Sequence, residues 1–224
     1  MRIGGFQKLT LVDYPAKLAA SVFTQGCNFR CGYCHNPELV LPSMFQVPIE
    51  AEMVLSYLNE RRGKLEGVVI TGGEPTIQKG LTNFVLQIKN MGFAVKLDTN
   101  GSHPDILASL IELKLIDYIA MDIKSSLARY KDITGSDGIV LKILESVELI
   151  INSGIPYQFR TTLVKEYCSH EDLRDIQQLI GKAKHYVLQP FVLPQKRVDF
   201  REVLLSQYTH AEMELLKAKY EHQG

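Results

Sequence analysis

Apolar runs alternate with amphipathic stretches along most of the chain. Leu18 to Thr24 is the first apolar run, and it ends at the turn signal Gln25-Gly26, so it predicts a strand. From Ile49 to Arg62, Met53, Val54 and Leu58 lie near helical spacing, and Glu50 and Glu52 suit the positive end of a helix. Further strands are predicted at Gly67 to Thr71, Phe93 to Leu97, Asp117 to Ile123, Ile155 to Val164 and Tyr186 to Phe191. Helices are predicted at Gly80 to Met91, Pro104 to Leu115, Ile139 to Ser153 and Glu171 to Ala183. Gly92 and Gly154 stop two of them, and Pro104 is tolerated in a first turn. A last helix begins near Thr209, where Thr209 and Glu212 have the spacing of a capping box. Regular β-α alternation implies parallel strands joined by right-handed crossovers. Six such units are too few for a complete eight-stranded barrel. An open or partial (β/α)6 barrel and a flat doubly wound sheet both fit the pattern. The expectation is one domain over 1–224, with the core at about 16–193 and a loop and helix at about 194–224.

Composition narrows the class. The 224 residues are 46% hydrophobic and 22% charged, as in an ordinary globule that can bury a core without disulfides. Lysine plus arginine and aspartate plus glutamate each number 25, for a net charge of zero. No global basic field exists, so no nucleic-acid partner is expected. No apolar run approaches the roughly 20 residues of a membrane span. The stretch Met1 to Asp13 lacks the pattern of a signal peptide, so a cytoplasmic, reducing location is expected.

Of the 4 cysteines, Cys27, Cys31 and Cys34 are clustered and Cys168 stands far away. In a reducing setting this cluster points to a metal or redox site. The C-x3-C-x2-C loop follows a strand and can wrap three thiolates around one metal centre. Three thiolates suit a four-iron cluster with one iron open to a substrate or cofactor. Zinc with His35 as fourth ligand is the competing reading, but paired ligand knuckles are missing and His35 adjoins Cys34. Cys168 is read as a bystander.

The run Q-G-C-N-F-R-C-G-Y-C-H-N-P resembles the radical S-adenosylmethionine (SAM) superfamily, and within it the glycyl-radical-enzyme activating proteins. The lead-in G-G-F-Q-K-L-T-L-V-D-Y-P, Gly4 to Pro15, resembles the activating proteins of anaerobic ribonucleoside-triphosphate reductase. T-G-G-E-P-T at Thr71 to Thr76, D-T-N-G at Asp98 to Gly101 and M-D-I-K at Met121 to Lys124 extend the similarity. The resemblance implies a partial (β/α)6 barrel with parallel strands and outer helices. It implies a reduced [4Fe–4S] cluster on Cys27, Cys31 and Cys34 that cleaves SAM to methionine and a 5′-deoxyadenosyl radical. That radical takes a hydrogen from a glycine of a partner glycyl radical enzyme. A flavodoxin or ferredoxin is the expected reductant.

The resemblance also assigns residues. Tyr33 and His35 flank Cys34 and are expected to line the SAM pocket. Gly73 and Glu74 are expected to meet the amino group of SAM, with Gly72 and Gly73 letting the backbone approach a ligand. Asp122 and Lys124 share a strand face, as suits a clamp on a zwitterion. Arg160, a charge in an apolar strand, and His170 match SAM-contacting residues. Asp98, Thr99 and Asp122 match residues that hold a monovalent cation beside SAM. Structural readings stand beside each: a turn with a solvated Glu74, a salt bridge for Arg160, helix-start chemistry with Ser169 as cap for His170. Lys196, Arg197 and Arg201 mark either a partner-docking strip or a solvated loop. Two other functions compete: radical SAM chemistry on a small molecule or RNA, such as a deazapurine-precursor synthase, and electron transfer without catalysis.

Overall fold

The computed structural model describes residues 1–181, 183–193, 198 and 204–223. Its elements in chain order are β1 (Ile3–Thr10), β2 (Ala19–Thr24), α1 (Pro37–Val40), α2 (Ala51–Glu60), β3 (Gly67–Gly72), α3 (Leu81–Asn90), β4 (Ala94–Thr99) and α4 (Pro104–Glu112). They continue with β5 (Tyr118–Asp122), α5 (Tyr130–Thr134), α6 (Val140–Asn152), β6 (Tyr157–Leu163), α7 (His170–Ile180), β7 (His185–Pro190), α8 (His210–Tyr220) and β8 (His222–Gln223). Every strand and helix expected from the pattern is present, with ends shifted by a few residues. Among the described residues no helix is long and apolar enough to cross a membrane. Lys196, Arg197 and Arg201 lie outside the described residues.

The chain forms two compact units. The first comprises Met1–Asn28, Glu38–Thr99 and Asp105–Ile119. Here β2, β3 and β4 pair in parallel register, Ala19 opposite Gly67 and Gly67 opposite Ala94. Val68, Val69, Ile70, Val95 and Leu97 are wholly buried, as β-branched and aliphatic runs in parallel strands should be. β1 was not expected. It runs antiparallel to β2, with Ile3 opposite Thr24. Its two glycines and polar residues hide it from a hydropathy pattern. Gly4 is required: a Cβ there would stand 2.4 Å from Gln25 Cγ and 2.6 Å from Leu39 Cδ2. The D-Y-P part of the lead-in has an equally physical role. Tyr14 is buried against β3, where a Cβ on Gly67 would meet its ring at 2.8 Å.

The second unit comprises Phe29–Pro37, Asn100–Pro104 and Ala120–Gly224. In it β6 and β7 are parallel, Phe159 opposite Tyr186, and the short β8 adds antiparallel to β7. Ile143, Ile150, Phe159, Leu163, Leu173 and Ile176 are buried. Helix α7 starts with a capping box: the Ser169 hydroxyl accepts from Asp172 N–H, and the Asp172 carboxylate accepts from Ser169 N–H. Helix α8 has the capping box of Thr209 and Glu212 expected from its sequence. Gly101 of the D-T-N-G motif and Met121 of M-D-I-K meet in this unit. Gly101 has a φ of 74°, and a Cβ on it would stand 2.1 Å from Met121 Cε.

Candidate functional site

In the first unit, the strand end that leads to Cys27 is tied down from several sides. Gly26 N–H donates to Leu39 O at 2.7 Å, and Gln25 N–H to Arg2 O at 2.9 Å. Gly73 N–H donates to Thr24 O, and Glu74 N–H to Gly26 O, each at 2.8 Å. Only glycines permit that approach. A Cβ on Gly72 would lie 2.3 Å from Thr24 N, and one on Gly73 2.1 Å from Gly26 O. The Gly-Gly pair therefore sets the position of the residues just before the first cysteine. Glu74 is not the solvated residue of a plain turn. It is 0% exposed. Its Oε1 caps a short 3-10 helix by accepting from Thr76 N–H at 3.1 Å, and it also accepts from Thr99 Oγ1 at 2.7 Å.

Asp98 and Lys96 lie on β4 in the same unit. Lys96 is 2% exposed, and its ammonium donates to Asp98 Oδ1. Thr71 Oγ1 donates to Asp98 Oδ2 at 3.2 Å.

In the second unit, the segment from Phe29 is anchored on α5. Arg30 N–H donates to Thr134 O at 2.7 Å, and the Phe29 ring stands edge-on to Tyr130. Cys34 N–H donates to Cys31 O at 3.1 Å, which turns the loop between these two cysteines. Tyr33 is buried against the rings of Tyr167 and Phe191. Burial pushes its hydroxyl well above the usual tyrosine range, while the nearby Lys124 charge works in the other direction. That hydroxyl has no hydrogen-bond partner among the described residues.

The ends of β5 and β6 supply a charged cluster in the same unit. Arg160 Nε donates to Asp122 Oδ1 at 2.8 Å, and Lys124 Nζ donates to Asp122 Oδ2 at 3.1 Å. Burial alone would raise the Asp122 pKa, but the two cations outweigh it and hold the carboxyl well below the usual range. Burial would likewise lower the Lys124 pKa, and the Asp122, Tyr33 and Cys31 charges drive it well above its ordinary value. Lys124 N–H also donates to Tyr130 Oη at 3.2 Å. Cys31, Tyr33, Asp122, Lys124 and Arg160 are thus brought together.

Other expected residues go elsewhere. His35 is exposed, with Nε2 2.7 Å from Val192 O and its ring near Phe191. His170 opens α7 and pairs with α8, its Nδ1 3.0 Å from Tyr220 Oη. Gly73, Glu74, Asp98 and Thr99 belong to the first unit. Cys168 is buried, and burial followed by the Asp172 charge pushes its thiol up to about 12. It is protonated at neutral pH, as suits a bystander. Sequence reasoning missed Tyr130, and it missed Asp172, which accepts from Ser126 Oγ and from Arg129 Nη1. It also missed Lys96. The signal was available, since Lys96 is a charge inside the apolar run Phe93 to Leu97, the pattern that singled out Arg160.

The donor chemistry fits an iron–sulfur cluster. All four cysteines are thiols rather than disulfides. Among the described residues no three His, Cys, Asp or Glu side chains form a ligand group for a single metal ion. A four-iron cluster does not ask for one, because each of three thiolates binds a different iron. The orphaned Tyr33 hydroxyl fits a polar ligand beside those thiols. Tyr33→Phe is expected to leave the stability of the ligand-free protein unchanged or raise it by about 1 kcal/mol in urea unfolding, because a buried hydroxyl with no partner is removed. A clear loss of stability would assign that hydroxyl a structural bond.

The sequence profile of the radical SAM superfamily matches residues 21–180. The chain belongs to the radical SAM superfamily: it is a radical SAM enzyme, and its cofactors are a [4Fe–4S] cluster and SAM. Within the superfamily it is similar to a Methanocaldococcus jannaschii protein named as a candidate glycyl-radical enzyme activating enzyme. The two are 35% identical over 195 residues, 84% of this chain and 79% of that protein. It is also 26% identical to the 7-carboxy-7-deazaguanine synthase of Thermococcus kodakarensis, over 74% of this chain and 71% of that one. Among solved structures, Streptococcus suis SuiB superposes with a TM-score of 0.66 at 16% identity, over 88% of this chain and 44% of that chain. A TYW1 structure superposes with 0.62 at 18% identity, over 90% and 72%. The fold is therefore the partial (β/α)6 barrel of parallel strands and outer helices, and the flat doubly wound sheet is set aside.

Proposed function

We propose that the chain activates a glycyl radical enzyme in the cytoplasm, with anaerobic ribonucleoside-triphosphate reductase as the partner and a flavodoxin or ferredoxin as the electron source. What supports this reading most is the 35% identity to the Methanocaldococcus jannaschii protein over 84% of the chain. The lead-in Gly4 to Pro15 adds support, since it resembles the activating proteins of anaerobic ribonucleoside-triphosphate reductase.

In this reading Cys27, Cys31 and Cys34 hold the cluster. When bound, the cluster supplies the electron that cleaves SAM to methionine and a 5′-deoxyadenosyl radical. The protein's own residues bind and orient. Asp122 stays ionised and fixes Lys124 and Arg160, so that Lys124 can neutralise the SAM carboxylate. Tyr33 offers its hydroxyl from a dry aromatic wall. Gly73 presents its main chain and Glu74 braces the turn behind it. Desolvated, preset charges of this kind orient a zwitterion at little reorganisation cost.

The second reading is radical SAM chemistry on a small molecule, favoured by the likeness to the deazaguanine synthase. Anaerobic reconstitution decides. The reduced protein is expected to show a [4Fe–4S] EPR signal that changes on adding SAM, to release 5′-deoxyadenosine, and to place a glycyl radical on co-incubated anaerobic reductase. Deoxyadenosine formation with no radical on the reductase, but turnover of a deazapurine precursor, would favour the second reading. Serine at Cys27, Cys31 or Cys34 should lower iron per chain and remove the SAM-dependent change. Cys168→Ser should keep both.

A further inference from the structure

We infer that Lys96 takes the place of a monovalent metal ion beside Asp98, so that this chain carries its cation as a side chain. Asp98 and Thr99 resemble residues that hold such an ion, and this inference rests on the reading of them as part of the cofactor environment.

The arrangement of β4 does not suit a metal. Lys96 and Asp98 are two residues apart on a strand and share a face. The ammonium is 2% exposed and donates to Asp98 Oδ1. Thr71 Oγ1 donates to the other oxygen, Oδ2, at 3.2 Å. A metal ion on the same carboxylate would face the ammonium at close range in a poorly screened interior, and like-charge repulsion would oppose it. Thr99, as the next residue, projects to the opposite face of the strand. Its hydroxyl donates to Glu74 Oε1 at 2.7 Å. The third residue of the set, Asp122 in the second unit, already pairs with Arg160 and Lys124.

The consequence is chemical as well as electrostatic. A metal ion is lost by dilution, whereas a tethered ammonium is present at every ionic composition. An ammonium also donates in fixed directions, so it holds Asp98 in one orientation where a spherical ion would accept several.

The test is thermal unfolding of the reconstituted full chain in potassium, sodium or choline chloride at equal ionic strength. It needs no SAM cleavage, so its outcome is separate from that of the proposed activity. The wild-type midpoint is expected to be the same in all three salts. Lys96→Met removes the ammonium and leaves a partly buried carboxylate without that ion pair, so its midpoint in choline chloride should fall by roughly 10 °C. Potassium or sodium should then recover part of the loss in a saturable way. A saturable rise of the wild-type midpoint with potassium or sodium would overturn the inference. So would a folded Lys96→Met protein that does not distinguish these ions from choline. If that variant does not fold, Lys96→Gln, which keeps a neutral donor toward Asp98, is read by the same two outcomes.

Discussion

Asp122→Ala is expected to cost about 3 kcal/mol of unfolding free energy, because it removes the carboxylate that two poorly exposed cations share. Arg160 and Lys124 are 13% and 18% exposed, and both converge on this one carboxylate. Removing it leaves neither with its present partner in a site where water is scarce. The effect should carry a pH signature. The folded carboxyl titrates below its ordinary value. Its contribution is therefore complete above the unfolded value near pH 4 and is withdrawn as pH falls below it. Lys124 shows the same interaction from the other side. Its folded pKa is raised, so the contribution persists below its unfolded value of about 10.4 and is lost as pH rises through the folded one. Urea unfolding of wild type and variant across pH should give a difference that is widest between these limits and shrinks at the acid end. A pH-independent difference, or none, would mean that the cluster is screened by solvent and contributes no more than a surface pair.

Gly73→Ala is expected to be equally damaging by a steric route. The new Cβ would stand 2.1 Å from Gly26 O, 2.7 Å from Gly26 C and 3.1 Å from Leu39 O. Backbone atoms cannot rotate aside as a side chain can, so the loop itself must move. A cost of about 3 kcal/mol is expected, at the upper end of overpacking. Gly26 immediately precedes Cys27, so the shift should also lower the iron retained per chain after reconstitution. Gly5→Ala is the control, because its Cβ would meet nothing closer than 3.5 Å. Equal iron content in Gly73→Ala and Gly5→Ala would show that the cysteine loop does not depend on this contact.

The regular part of the fold was legible because burial in parallel strands writes itself as β-branched runs, such as Gly67 to Thr71. β1 was not, because it carries two glycines and polar residues, and Gly4 serves close approach to Gln25 rather than hydrophobic burial. The cysteine loop was legible from spacing alone, and the charged cluster of Asp122, Lys124 and Arg160 from charges placed in strands. What spacing could not give was direction. Glu74 turns inward to cap and to accept from Thr99, and His170 pairs with Tyr220 from α8. Those outcomes depend on which distant segment arrives beside each residue. Lys96 is a different kind of miss, since the rule that found Arg160 finds it as well.

The scattered make-up of the two units bears on how the protein is made. The first unit ends at Ile119, so its last segment leaves the ribosome while much of the second is still unsynthesised. The cysteine loop belongs to that second unit from Phe29 onward, and His35 waits for Val192, 157 residues later. Early in synthesis the loop is therefore a set of thiols without its aromatic wall, open to stray metals and oxidants. Phe191 and Val192, just past β7, reach Tyr33 and His35 only late in synthesis, although the loop they pack on was among the first parts to emerge.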